Sequence, residues 1–365
     1  MARRSLLGML QSFGGLAATP MAGTAASGQP GRATALAAGY GRPRLGGQMG
    51  TIAFLAPGAA GLMLWVTPFT EPKGDSGGAP PPAVPVCAVG ATARDPLVPV
   101  RDGPFLGEAS RWFVWREDRT VKAVHDTGAT AALTLPAPPD RLLRPALQRI
   151  GGDVRVFALE AGRRSVACLT VPRMPGGIAA VTGTIALPRE AASGAVGFGP
   201  TGEWLAMLLP DADGVTLLLA RVDGASPPRA VPLKGLRCPP DFEPAIGPGA
   251  NRETRFAVLG ETGGVLTLAE VVIPADGGAP VATMTPLGVP VSSGWFGAVV
   301  AAADGTRLVA STPRRWYASS GRGAMPAEHA FSGAVPARPV TLAPTEQGAL
   351  LLVNGGGAGP RMLPI

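Results

Sequence analysis

A chain of 365 residues with 46% hydrophobic content is long enough to bury a large core, and a charged content of only 16% sets it apart from a disordered chain despite 52 glycines and 40 prolines. Of the net charge of +7, five charges sit among the first 70 residues as Arg3, Arg4, Arg32, Arg42 and Arg44, with no acid between them, so the other 295 residues carry only +2 and lack the basic surface that nucleic-acid binding needs. Three cysteines (Cys87, Cys168, Cys238) and two histidines (His125, His329) show no metal-ligand spacing, which argues against a zinc site and implies no cofactor.

At the amino terminus, Arg3-Arg4-Ser5-Leu6-Leu7 precedes a mildly apolar stretch diluted by Gln11, Ser12, Gly14 and Gly15, and the small residues Gly23-Thr24-Ala25-Ala26-Ser27 follow. This segment resembles a twin-arginine export signal, which implies cleavage after Ala25 or Ala26 and a periplasmic or extracellular mature chain. The alternative is a flexible basic tail over residues 1–28.

Residues 51–69 are uncharged and apolar, yet Pro57-Gly58-Ala59-Ala60-Gly61 interrupts them at the middle, where it would break a membrane helix and suits a turn between two strands. The expectation is therefore a hairpin, with no transmembrane helix in the mature chain. A second hairpin is expected over residues 203–222, where Pro210-Asp211-Ala212-Asp213-Gly214 separates two apolar runs. Similar units start near residues 111, 153, 254, 306 and 348. Spacings of about forty to sixty residues suit a four-stranded repeat with variable loops. Residues 140–150 are the best helical candidate, and they form one short element at most.

Two of the units read Phe198-Gly199-Pro200-Thr201-Gly202-Glu203-Trp204-Leu205-Ala206 and Ala303-Asp304-Gly305-Thr306-Arg307-Leu308-Val309. They resemble TolB-like propeller repeats, with Thr201 in place of the aspartate and Ala303 in place of the proline. The resemblance implies a β-propeller and no particular activity. Together these features predict an all-β fold, a β-propeller of about seven blades occupying residues 29–365 as one domain. Tandem β-sandwiches and a β-solenoid are the rival architectures. The last unit offers three strands where a blade has four, so residues 32–38 are expected to close the ring.

Chemistry is sparsely marked. Gly74-Asp75-Ser76-Gly77-Gly78 matches the pentapeptide around the serine of chymotrypsin-like proteases, but no histidine precedes it as the triad order of that family requires. Gly355-Gly356-Gly357-Ala358-Gly359 has no following Lys-Ser/Thr and reads as a turn. Cys168 sits in an apolar run as a buried thiol, and His125 reads as structural. Trp112, Trp115, Trp204 and Trp295 read as packing between blades. The densest polar and aromatic cluster is Arg314, Arg315, Trp316 and Tyr317, with Arg322, Glu328 and His329 nearby in a long glycine-rich excursion over residues 313–331, where the structural alternative has Arg314-Arg315 capping a hairpin and Trp316 packing between blades. Arginine and aromatic side chains dominate binding hot spots, so Arg314, Arg315, Trp316, Tyr317 and His329 are the candidate binding residues for a protein partner. The alternatives are a propeller enzyme with catalytic groups in the central channel and a virion or cell-surface adhesion protein.

Overall fold

The computed structural model describes residues 44–46, 51–58, 61–67, 84–97, 112–125, 128–143, 154–171, 180–240, 242–291, 295–311, 315–319, 321, 325–330, 338–345, 348–354 and 360–364. Among these, regular structure is strand apart from one 3-10 turn at Ala250–Arg252.

Among the described residues, seven antiparallel sheets follow one another, each made of strands consecutive in sequence. The first holds β1 (Arg44–Gly46), β2 (Thr51–Gly58), β3 (Gly61–Thr67) and β4 (Val84–Ala88). The second holds β5 (Arg94–Leu97), β6 (Trp112–Glu117), β7 (Thr120–His125) and β8 (Thr130–Thr134), and the third β9 (Pro139–Leu142), β10 (Val154–Glu160), β11 (Ser165–Val171) and β12 (Ala180–Ala186). In the fourth are β13 (Ser193–Gly199), β14 (Gly202–Asp211), β15 (Gly214–Arg221) and β16 (Arg229–Lys234). The fifth has β17 (Ala245–Pro248), β18 (Thr254–Thr262), β19 (Val265–Ile273) and β20 (Val281–Pro290), the sixth β21 (Phe296–Ala302), β22 (Gly305–Ser311), β23 (Arg315–Ser319) and β24 (Ala327–Ala330). Three strands, β25 (Arg338–Thr345), β26 (Gly348–Asn354) and β27 (Pro360–Pro364), make the last.

First strands lie against one another from the first sheet to the third (β1, β5, β9) and from the fourth to the last (β13, β17, β21, β25), and β1 of the first sheet touches β25 of the last. An all-β chain of four-stranded sheets joined in this way is consistent with a β-propeller. Each hairpin unit expected from the sequence begins at the second strand of a sheet. The three-stranded last sheet also matches the sequence reading, whereas residues 32–38, expected to close the ring, lie outside the described residues.

Side chains alternate across each strand, so a strand buried on both faces feeds two cores. In β14, Trp204, Ala206 and Leu208 pack toward the fifth sheet, while Leu205, Met207 and Leu209 pack toward the third. Val156 and Ala158 of β10 likewise face the second sheet, and Phe157 and Leu159 face the fourth. A fourth cluster, with Leu55, Leu64, Phe113 and Trp115, joins the first two sheets. Each fully buried Leu or Phe side chain contributes about 1.5–3 kcal/mol. Trp115, Trp204 and Trp295 are buried in these cores as expected, and the side chain of Trp112 lies outside the described residues.

Two local expectations change. The turn in the fourth sheet is tighter than residues 210–214, because the pairing of β14 with β15 runs on through Pro210↔Val215 to Asp211↔Gly214. The proline is accommodated because β13 reaches only to Leu208, leaving Pro210 in a part of β14 with a neighbour on one side. Gly214 closes the turn at a φ of 131°, a conformation that disfavours a side chain. The helical candidate also fails over its described part. Asp140, Arg141 and Leu142 belong to β9, where pairing with β10 outweighs local helix preference.

Close approach of neighbouring sheets needs positions without a Cβ. A Cβ on Gly247 of β17 would stand 2.3 Å from the carbonyl oxygen of Ala301 in the next sheet, and one on Gly199 would stand 2.2 Å from Oγ1 of Thr254. Replacing Gly247 with valine should therefore destabilise the protein by about 1–3 kcal/mol, read by urea unfolding. An unchanged midpoint and slope would show that the sheets are not packed this closely.

Candidate functional site

The excursion expected over residues 313–331 is in part regular sheet, because β23 and β24 pair within it. Arg314 lies outside the described residues. Trp316 and His329 are cross-strand partners, flanked by the pairs Arg315↔Ala330 and Tyr317↔Glu328. Arg315 and Tyr317, two residues apart, share a face. On that face the Arg315 guanidinium donates to Oε1 of Glu328, and the Tyr317 hydroxyl donates to Oε2 at 3.3 Å. The Arg315 and Glu328 side chains are 56% and 47% exposed, whereas Tyr317 is buried. Burial, followed by the Glu328 carboxylate, pushes the Tyr317 phenol above its usual range. Met325, which is exposed, comes within 3.4 Å of the place a Cβ on Gly288 of β20 in the fifth sheet would occupy.

A second site was not singled out in the sequence. A cleft of about 400 Å³ opens between the fourth and fifth sheets and is lined by Thr201, Trp204, Arg221, Ser226, Arg229 and Asp276. Thr201 comes from the β13–β14 turn, Ser226 from the β15–β16 turn and Asp276 from the β19–β20 turn, so three connections on one face of the sheets converge. Thr201 is fixed by Thr254 of the next sheet, with the two Oγ1 atoms 2.5 Å apart, and it accepts the indole N–H of Trp204 at 3.0 Å. The Arg221 guanidinium lies 5.5 Å from the Trp204 ring centre, donates to the carbonyl of Thr201 and forks onto Asp223. The hydrogen bond from Arg221 holds the Asp223 carboxyl below its usual range. Arg229 donates to the carbonyls of Gly277, at 2.7 Å, and Gly278. Oδ1 of Asp276 accepts the Gly278 N–H at 2.9 Å.

The lining residues are spread over several elements and form no linear motif. One signal was legible, namely the recurrence of Asp223-Gly224 and Asp276-Gly277 after the third strand of successive units. Each aspartate accepts the N–H two residues on, at Ala225 and Gly278.

The remaining sequence candidates are structural or undescribed. His125 is buried in β7. The segments around Ser76 and over residues 355–359 lie outside the described residues. Among the described residues no cluster of three or more His, Cys, Asp or Glu could hold a metal ion, and no helix is long and apolar enough to cross a membrane.

No family model matches the sequence, and no curated protein matches it. Solved structures with a similar course of the chain include a prolyl endopeptidase, at 16% identity and a TM-score of 0.49 over 92% of this chain and 48% of that one. The chain thus spans about half the length of that peptidase. An ulvan lyase matches at 12% identity and a TM-score of 0.46, over 90% of this chain and 94% of that one. An α-L-arabinofuranosidase of Fusarium graminearum matches at 11% identity and a TM-score of 0.40, over 75% of this chain and 98% of that one. So distant a likeness extends to no activity, substrate or site residue.

All three cysteines are free. Burial pushes the Cys87 and Cys168 thiols up to about 11 and that of Cys238 up to about 12, so at pH 8 they are protonated and poorly nucleophilic. Alkylation of the native protein by iodoacetamide at pH 8 should be at least about tenfold slower than in urea at each thiol, because the thiolate fraction falls tenfold per unit rise in pKa. A native Cys238 that reacts as fast as the unfolded one would contradict this burial.

Proposed function

We propose that the chain is a seven-bladed β-propeller that works after export as a docking module for a protein partner. The observation that carries the reading is the β23–β24 surface. There Arg315 is exposed beside a buried tyrosine, Met325 is exposed two residues before β24, and Glu328 fixes the orientation of both Arg315 and Tyr317. Arginine, tyrosine and methionine are enriched at the centres of protein interfaces, since they join contact area to directional donors. Orientation by Glu328 lowers the entropy lost when a partner binds. Export rests on the resemblance of the segment carrying Arg3 and Arg4 to a twin-arginine signal.

A propeller enzyme is the second reading, with catalytic groups drawn from separate sheets into the central channel. The solved structures of similar course are a peptidase, a lyase and an arabinofuranosidase, a likeness too distant to assign any residue here.

Replacing Arg314, Arg315 and Trp316 with alanine should weaken association with the protein that co-purifies with the native chain by more than about 1.4 kcal/mol, a tenfold loss, while circular dichroism stays unchanged. Normal binding by the triple variant would refute the docking reading, as would substrate turnover that is lost on mutation of a channel residue. For export, amino-terminal sequencing of the chain from the periplasmic fraction should start after Ala25 or Ala26. Intact Met1 on a chain confined to the cytoplasm would overturn that part.

A further inference from the structure

The cleft between the fourth and fifth sheets has two features that packing alone does not use. The Oγ of Ser226 is buried and makes no hydrogen bond among the described residues. A hydroxyl removed from water without a partner is destabilising, and a ligand atom placed beside it would relieve that cost. The second feature is the difference between the two guanidinium groups. Arg221 is matched by the carboxylate of Asp223, whereas Arg229 is held through the backbone carbonyls of Gly277 and Gly278 and forms no ion pair with a described carboxylate. A guanidinium has five N–H groups, so two bonds to carbonyls leave Arg229 with three, in a fork already fixed in place. Paired N–H groups of this kind match the two oxygens of a carboxylate.

We propose that this cleft binds a small carboxylate-bearing molecule, with Arg229 gripping the carboxylate and Ser226 Oγ completing its hydrogen bonds. Asp276, also on the cleft wall, adds a negative charge to the lining, so a ligand that also carries an ammonium group fits the lining better than a bare anion. The volume of about 400 Å³ admits a molecule of amino-acid size. No proton or electron is transferred, and the step is binding alone.

Ligand-observed NMR titrations of the full chain with acetate, glycine and methylamine test this directly. Acetate and glycine should both bind, glycine more tightly, and methylamine should not. Arg229→Gln should weaken the binding of both at least tenfold. Because that change could loosen the loop at Gly277 and Gly278, Ser226→Ala supplies the second arm. It removes an unbonded hydroxyl, so the melting temperature should hold or rise while affinity for glycine falls by about threefold or more. The proposal is overturned if neither carboxylate binds, if methylamine alone binds, or if both variants bind acetate and glycine as the parent does.

Discussion

The structure depends on one constraint: most strands in its central sheets are buried on both faces and must fill two cores at once. A half-buried sheet needs an apolar residue at every second position, but here both sets are apolar, and they are partitioned by period two between different neighbours. Trp204, Ala206 and Leu208 belong to the core shared with the fifth sheet, and Leu205, Met207 and Leu209 to that shared with the third. A slip of one residue in β14 would exchange the two sets and misfill both cores, which pins the register more firmly than either core could alone. The side chains nearest the inner strands must also be small, and at Gly199 and Gly247 even a methyl group would collide with the next sheet.

Polar groups bridge neighbouring sheets at related positions. Arg155 and Glu203, each second in its strand, form an ion pair between the third and fourth sheets. Glu270 of the fifth sheet takes Arg255 at 3.4 Å on its own sheet and accepts a hydrogen bond from Thr306 of the sixth at 2.5 Å. Thr201 and Thr254 join the fourth and fifth sheets, and Thr201 also lines the polar cleft. Contacts that align the sheets therefore also position the lining of the cleft, so its geometry is inherited from rigid strands even though Ser226 and Asp276 themselves lie on turns.

Much of this fold was legible in the sequence. Apolar runs such as Leu217, Leu218 and Leu219, punctuated by Pro-Gly and Asp-Gly, can satisfy two cores only as strands, and their recurrence marked the second strand of each sheet. Turn boundaries were less legible because proline at 210 could enter a strand where one neighbour was missing. In the excursion holding Arg315 and Tyr317, glycines hide two short strands whose order is set by pairing, β23 with β22 and β24 with β23. The cleft was illegible for a different reason. Arg221 and Arg229 come from the fourth sheet and Asp276 from the fifth, about fifty residues on, and the recurring Asp-Gly pairs mark equivalent turns without revealing that they converge.

Closure of the sheets into a ring rests on the contact of β1 with β25. It can be tested most directly by hydrogen exchange on a chain lacking residues 338–364. In a ring, losing the last sheet uncovers the first, so the amides of β2 and β3 should lose protection although they lie nearly three hundred residues away in sequence. Unchanged protection in β2 and β3, with losses confined to the sixth sheet, would show an open stack of sheets and contradict the account.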